Sequence, residues 1–234
     1  MPRHTLMLRD APTPAAGDRL TITGDEAKHA IRVKRVRAGD SLTILDGEGL
    51  LAHAHAEDAR RDLVVVIDRV ERVEPTSPRI EVFAAAPKGQ RFEQMVDSCA
   101  QVGAHGVVPI ETDFGVVEPG ANKMQRAHRV AEEASKQSGR AWLLCVGEQI
   151  AFDEALAGEG VRVLCDADAP PYRPSGAEEI RLLVGPEGGW SPAERERAEA
   201  AGAMRASFGV HTMRIEVAAP SACAIALHLE HAQR

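Results

Sequence analysis

Aromatic side chains are scarce in this chain: five phenylalanines, two tryptophans and one tyrosine in 234 residues. The core therefore has to be built largely from Ala, Val, Leu and Ile. Cysteine is equally thin. Cys99, Cys145, Cys165 and Cys223 lie far apart, three of them inside apolar segments, with no CxxC or Cys/His cluster. That pattern excludes a disulfide scaffold and a structural zinc site, and it reads as reduced core residues with no metal. No stretch approaches the roughly 20 apolar residues of a membrane span. The opening MPRHTLMLRDAPTP has no apolar run long enough for a signal peptide, so the expectation is a cytoplasmic protein without a membrane partner. Positive charge is also short. The net charge of −7 argues against a protein that coats nucleic acid, although binding depends on local patches rather than on the total.

The length allows a small domain followed by a medium one, each able to bury a core. Residues 4–9 and 19–23 read as strands. Gly24-Asp25-Glu26 opens a helix running through Arg35, with Asp25 as its N-cap. Strands over 41–45 and 50–56 flank Asp46-Gly47-Glu48-Gly49, a strong hairpin signal, and the β-branched run 63–73 closes the sheet. Short strands with tight turns predict a compact barrel over residues 1–74. Glu74-Pro75-Thr76-Ser77-Pro78 reads as a linker. From 79 to 234 the texture changes to alternation, with strands over 80–86, 107–110, 143–146, 161–166 and 180–184. Helices are expected over 91–102 and from about 122 to 138. Such alternation predicts a parallel α/β sheet covered by helices on both faces.

The most informative segment is Leu183-Val184-Gly185-Pro186-Glu187-Gly188-Gly189-Trp190-Ser191-Pro192-Ala193-Glu194. A buried strand ends in a glycine-rich loop and a helix starts at once, with Ser191 and Glu194 as a capping box and Pro192 at its first position. Ligands of open α/β sheets sit at such strand ends. A single glycine loop is usually only a tight turn. Three glycines in five residues with a rigid proline favour a site, and the absence of GxGxxG or a Walker sequence argues against a dinucleotide or triphosphate. A second loop, with Phe208, Gly209, His211 and Met213, leads through Arg214 and Glu216 into a very apolar helix over 217–229. Taken alone, Arg214 and Glu216 would be an exposed pair or a cap; together, the two loops converge on one ligand.

The GPEGG run with Ser-x-x-Glu, followed by Gly-x-x-x-Met-Arg-x-Glu-x-Ala, resembles the SPOUT methyltransferases. More closely it resembles the 16S ribosomal RNA (uracil-N3)-methyltransferase family. Further matches in the same order are Gly24-Asp25-Glu26 with His29, Gly39-Asp40, Lys88-Gly89-Gln90-Arg91, Glu133-Ala134 and Gln137-Ser138-Gly139-Arg140. The resemblance covers nearly the whole chain. It implies an N-terminal PUA-like barrel, a C-terminal domain with a deep trefoil knot, and a homodimer whose subunits together complete the site. It also implies S-adenosylmethionine as cofactor, held by Leu183, Val184, Gly185, Pro186, Glu187, Gly188 and Gly189 with Phe208, Gly209 and Met213. The expected reaction is methylation of a uridine N3 in small-subunit rRNA, with Glu216 as base and Arg214 stabilising charge. His211 is the alternative base. A related enzyme acting on a ribose 2′-OH or another base, and a non-catalytic PUA-type RNA binder, are the competing readings. The chain departs from the family pattern at three places. Ile215 and Val217 replace threonines, Thr112-Asp113-Phe114-Gly115 replaces Ser-Glu-Arg-Ser, and Ala127 replaces a tryptophan.

Basic residues concentrate in Lys28, Arg32, Lys34, Arg35 and Arg37. Such runs are usually solvated helix faces, but against an acidic whole this one suits a phosphate-tracking surface, extended by Lys88, Arg91 and Arg140. Two lookalikes are set aside. Asp168-Ala169-Pro170-Pro171-Tyr172 has its acid one position too early for an amino-methyltransferase motif and reads as a polar loop. His53 and His55 alternate on a strand, without acidic or sulfur partners nearby in sequence, and read as surface residues.

Overall fold

The computed structural model describes residues 4–9 and 12–233. The chain divides into two compact units. The first runs up to Pro75 and also takes in Ser135–Leu143; the second comprises Thr76–Ala134 and everything from Leu144 onward.

The first unit holds β1 (His4–Met7), β2 (Arg19–Ile22), α1 (Gly24–Lys28), β3 (Ser41–Leu45), β4 (Leu50–Asp58) and β5 (Leu63–Arg72). They form one sheet in the order β1-β3-β4-β5-β2, antiparallel except where β1 lies parallel to β3. Strict alternation builds it: Leu50, Ala52, Ala54 and Ala56 point inward from β4 and Leu63, Val65 and Ile67 from β5. Two register shifts in the β4–β5 ladder curl the sheet. At the β3–β4 turn, Asp46 Oδ1 accepts the N–H groups of Glu48 and Leu50. Gly49 there has φ +97°, and a Cβ would lie 2.7 Å from the Trp142 ring.

Three expectations change in this unit. The N-cap of α1 is Thr23, so Asp25 sits in the first turn rather than capping it. The helix does not reach Arg35: it passes into a π-helical turn over His29–Val33, and Arg35 adopts φ +56°. His53 and His55 do have acidic neighbours, because pairing with β5 brings Glu71 to 3.0 Å and Asp68 to 2.7 Å. Sequence adjacency could not reveal partners that arrive by strand pairing. Among the described residues no group of three His, Cys, Asp or Glu could hold a metal.

The second unit contains β6 (Arg79–Ala85), α2 (Arg91–Val102), β7 (Gly106–Ile110), the start of α3 (Ala121–Ser138), β8 (Cys145–Val146), α4 (Phe152–Leu156) and β9 (Val161–Cys165). It continues with β10 (Glu179–Val184), α5 (Pro192–Ala200), β11 (Met204–Ala206) and α6 (Ile215–His231). All six strands are parallel, in the order β11-β9-β10-β6-β7-β8. Ile180, Leu182 and Val184 on β10 enter the core shared with α2 and α6, while Leu183 enters the opposite core with Phe83, Leu164 and Trp190. α2 buries Phe92, Met95, Val96 and Cys99, a single face at helical spacing. Truncating Phe92 to Ala would cost about 3–5 kcal/mol.

Cys99 and Cys223 are buried as expected of core thiols, and burial pushes the Cys99 thiol well up. Cys145 is exposed, contrary to the core expectation, because it lies in the short edge strand β8. α4 had no periodic signal long enough to be read from sequence, having five residues. Among the described residues no helix is long and apolar enough to cross a membrane.

Candidate functional site

Strands β9, β10 and β11 are neighbours running the same way, so the loops leaving their carboxyl ends emerge at one edge of the sheet. They surround a cavity of about 320 Å³. The first wall is the loop between β10 and α5. Ser191 caps α5 reciprocally with Glu194: the Ser191 hydroxyl accepts from the Glu194 N–H, and the Glu194 carboxylate accepts from the Ser191 N–H at 2.8 Å. Glu194 is fully buried, and its other oxygen accepts the Asp113 N–H at 2.9 Å. The Ser191 hydroxyl also donates to the Asp113 carboxylate. One capping box thus fixes the glycine loop and the loop after β7 together.

Glycine is required in this wall. A Cβ at Gly185 would lie 2.9 Å from the Trp190 ring, which is pinned by its Nε1 donating to the Cys165 carbonyl. A Cβ at Gly188 would lie 3.2 Å from Phe114 Cβ. Val184, Gly185, Pro186, Glu187, Gly188 and Gly189 all line the cavity, as do Phe208, Gly209 and Met213. Leu183 does not, because its side chain leaves the strand on the opposite face.

The wall that sequence reasoning missed is the loop between β9 and β10, dismissed as polar. Asp166 and Asp168 line the cavity, and Asp166 is paired with Arg205 at 2.8 Å and Arg195 at 3.3 Å. Burial pushes the Asp166 carboxyl up, but the Asp168 N–H, the Arg205 hydrogen bond and the charges of both arginines outweigh it and hold it below its ordinary value. Farther along, Tyr172 stacks on Phe208 with ring centroids 5.0 Å apart and donates to Glu230 at 2.6 Å. The Ser207 N–H donates to the Pro170 carbonyl, and the Tyr172 N–H to the Ser207 carbonyl. The signal available was the strand end itself, since three adjacent parallel strands contribute three loops.

Arg214 is the exposed N-cap residue of α6 and has no ion-pair partner among the described residues. Glu216 follows in the first turn. Its side chain is 12% exposed, with Oε1 at 3.9 Å from Arg91 Nε and Oε2 buried without a hydrogen-bond partner. Arg91 also reaches Glu187 at 3.6 Å, so one guanidinium spans the glycine loop and the α6 carboxylate. His211 lines the cavity and is exposed.

Of the basic residues, Lys28 pairs with Asp25, and Lys34 donates to the Thr5 carbonyl at 2.7 Å. Arg140 donates to the Trp142 carbonyl. Arg32, Arg35 and Arg37 are exposed in the first unit, and Lys88 is exposed in the second.

A family model for an RNA methyltransferase domain matches residues 74–227, and one for an RNA methyltransferase PUA domain matches residues 22–68. The chain belongs to this RNA methyltransferase family. The family's ribosomal RNA small subunit methyltransferase E from Synechocystis is 30% identical over 222 residues, covering 90% of this chain and 73% of the relative. A probable rRNA-methyltransferase from Porphyromonas gingivalis superposes with a TM-score of 0.78 at 30% identity, covering 93% of this chain and 95% of that one. Ribosomal RNA small subunit methyltransferase E from Neisseria gonorrhoeae, solved bound to S-adenosyl methionine, gives 0.86 at 24% identity over 98% of both chains. The PUA match falls within the first unit, and the methyltransferase match spans the strands and helices of the second.

Proposed function

We propose that this RNA methyltransferase binds S-adenosylmethionine at the ends of β9, β10 and β11 and methylates N3 of a uridine in 16S rRNA. The observation that carries the reading is the juxtaposition of a glycine cradle with a carboxylate that is only half partnered. The donors present fit the cofactor. Gly185, Gly188 and Gly189 line the cavity with little more than backbone, and the exposed carboxylate of Asp168 suits a ligand that carries positive charge. Bound there, the cofactor would supply a methyl group already activated as a sulfonium.

The chain's own task is the substrate proton. Uridine N3 is protonated at neutral pH and becomes nucleophilic only when that proton leaves. Glu216 accepts it, and Arg214 stabilises the charge left on O2 or O4. The exposed arginines of the first unit and Lys88 contact phosphates, and the protein acts in the cytoplasm. At Ser207 the β9–β10 loop runs parallel beside the chain passing from β11 to α6, a contact that fits the knot of the resembled fold. A homodimer is supported by α6, whose Val217 is 47% exposed and whose Ala224 and Ile225 are only partly covered.

Mass spectrometry of 16S rRNA from cells lacking the protein tests the reaction, with one missing uridine methyl group expected. A methyl group missing from a ribose or another base would assign the related chemistry instead. An unchanged methylation pattern, together with no cofactor binding by calorimetry, would leave a non-catalytic RNA binder.

A further inference from the structure

Phe114 breaks the rule that governs every other ring in the molecule. Of the few aromatic residues, Phe83, Phe92, Phe152, Tyr172 and Trp190 are buried, and Trp142 and Phe208 are partly covered. Phe114 alone among the described residues is exposed, with 49% of its surface open. A chain so poor in aromatics leaves one in water beside its functional cavity: Phe114 stands against Gly188, which lines that cavity.

The loop that carries the ring is also held in place. Asp113, its neighbour, donates its N–H to the buried Glu194 and accepts from Ser191, so the loop is bolted to the start of α5. On the other side, the Gly115 N–H donates to the Thr112 carbonyl at 2.9 Å, and a Cβ at Gly115 would lie 2.7 Å from Thr112 Oγ1. The turn is therefore closed by glycine and presents Phe114 outward from a fixed backbone. An exposed ring on a fixed loop has lost the entropy of ordering before any ligand arrives.

We infer that Phe114 is the stacking platform for the target nucleobase, a substrate-binding contact that rests on the rRNA-methylation reading above. A base in RNA becomes reachable when it is splayed out of its stack, and proteins receive such bases on aromatic faces. The lone pair of a deprotonated pyrimidine N3 lies in the ring plane. A platform that fixes this plane leaves the N3 edge free to face a base and a methyl donor. Gly188 is next to Glu187, which Arg91 links to Glu216, so platform, cofactor loop and carboxylate are one connected assembly. A second copy of this chain is the other occupant an exposed ring could meet, and it is an outcome of the test.

The test compares wild type with Phe114→Leu, Phe114→Tyr and Phe114→Trp on unmodified 16S rRNA transcript assembled into small subunits. Phe114→Leu keeps apolar area but removes the π-face, and it should lower kcat/KM by roughly 5- to 150-fold, the worth of one base–aromatic stack. Phe114→Tyr and Phe114→Trp should restore it. Cofactor affinity by calorimetry and molar mass by light scattering should not change in any variant. Full activity of Phe114→Leu in an enzyme that methylates would overturn the platform, as would an equal loss of cofactor affinity or a change of molar mass. A wild-type protein inactive on the transcript, yet binding cofactor, would instead overturn the rRNA reading on which the platform rests.

Discussion

Glu216 carries a buried carboxylate oxygen with no hydrogen-bond partner, an arrangement that costs about 1–3 kcal/mol. Such a cost persists where function requires an acceptor to stay free. Replacing it by Gln removes the base while keeping its shape. The expected result is a loss of kcat on the order of 10²–10⁴, the usual size of a general-base contribution. Cofactor affinity should hold and the melting temperature should not fall, since no charge is then left in the pocket. A melting temperature several degrees lower would mark Glu216 as structural support. Gly188 offers a complementary test. In Gly188→Val the new Cβ would meet Phe114 at 3.2 Å and push the cavity-lining loop out of place, so it should abolish cofactor binding while far-ultraviolet circular dichroism stays native. Unchanged binding would remove this loop from the cofactor site.

Among the elements, α6 and the β9–β10 loop depend on each other. Glu230, near the end of α6, accepts from the Tyr172 hydroxyl, from the N–H and hydroxyl of Ser175, and from the Gly176 N–H. Burial pushes its carboxyl up, but these donors outweigh burial and hold it below the ordinary glutamate value. A carboxyl depressed in the folded state contributes stability that is present above its unfolded value and is lost as pH falls through its folded value. Glu230→Gln should therefore destabilise by about 1–3 kcal/mol at neutral pH. The difference from wild type should shrink on acidification through and below the carboxylate range. Denaturant melts across that range read the effect, and a difference independent of pH would refute it. Because Tyr172 stacks on Phe208 beside the cavity, the same variant should also weaken cofactor binding.

For the molecule as a whole, assembly and RNA binding both fall to exposed faces. α6 hides Ala219, Cys223, Ala226 and Leu227 against its own unit, while Val217 remains exposed and Ala224 and Ile225 are only partly covered. An apolar strip of this kind is commonly covered by isologous pairing. Ile225→Glu should turn a dimer into a monomer by light scattering, and a wild-type protein that is already monomeric at micromolar concentration would end the dimer reading. For RNA, Lys34 is committed to the Thr5 carbonyl, so Arg32 and Arg35 are the better probes. Replacing both should flatten the salt dependence of RNA binding, each lost phosphate contact lowering the slope by about 0.7–0.9. An identical slope would leave these arginines as a solvated face.

Local chemistry was legible wherever neighbours in sequence are neighbours in space. The α2 face, the Asp46-Gly47-Glu48-Gly49 turn and the Ser191–Glu194 capping box all follow from residues within one turn of each other. The glycine loop was legible too, because a strand end, glycines and a helix start are contiguous. Tertiary structure alone decided the rest. It brought the β9–β10 loop to the cavity, linked Arg91 to Glu187 and Glu216, gave His53 and His55 their carboxylates, and turned Leu183 away from the site. It also grouped Ser135–Leu143 with the first unit, where Lys136 pairs with Glu26 at 3.4 Å and Trp142 donates to the Val73 carbonyl. Those pairings span 69 and 110 residues of sequence, and strand order rather than sequence spacing determines which loops meet.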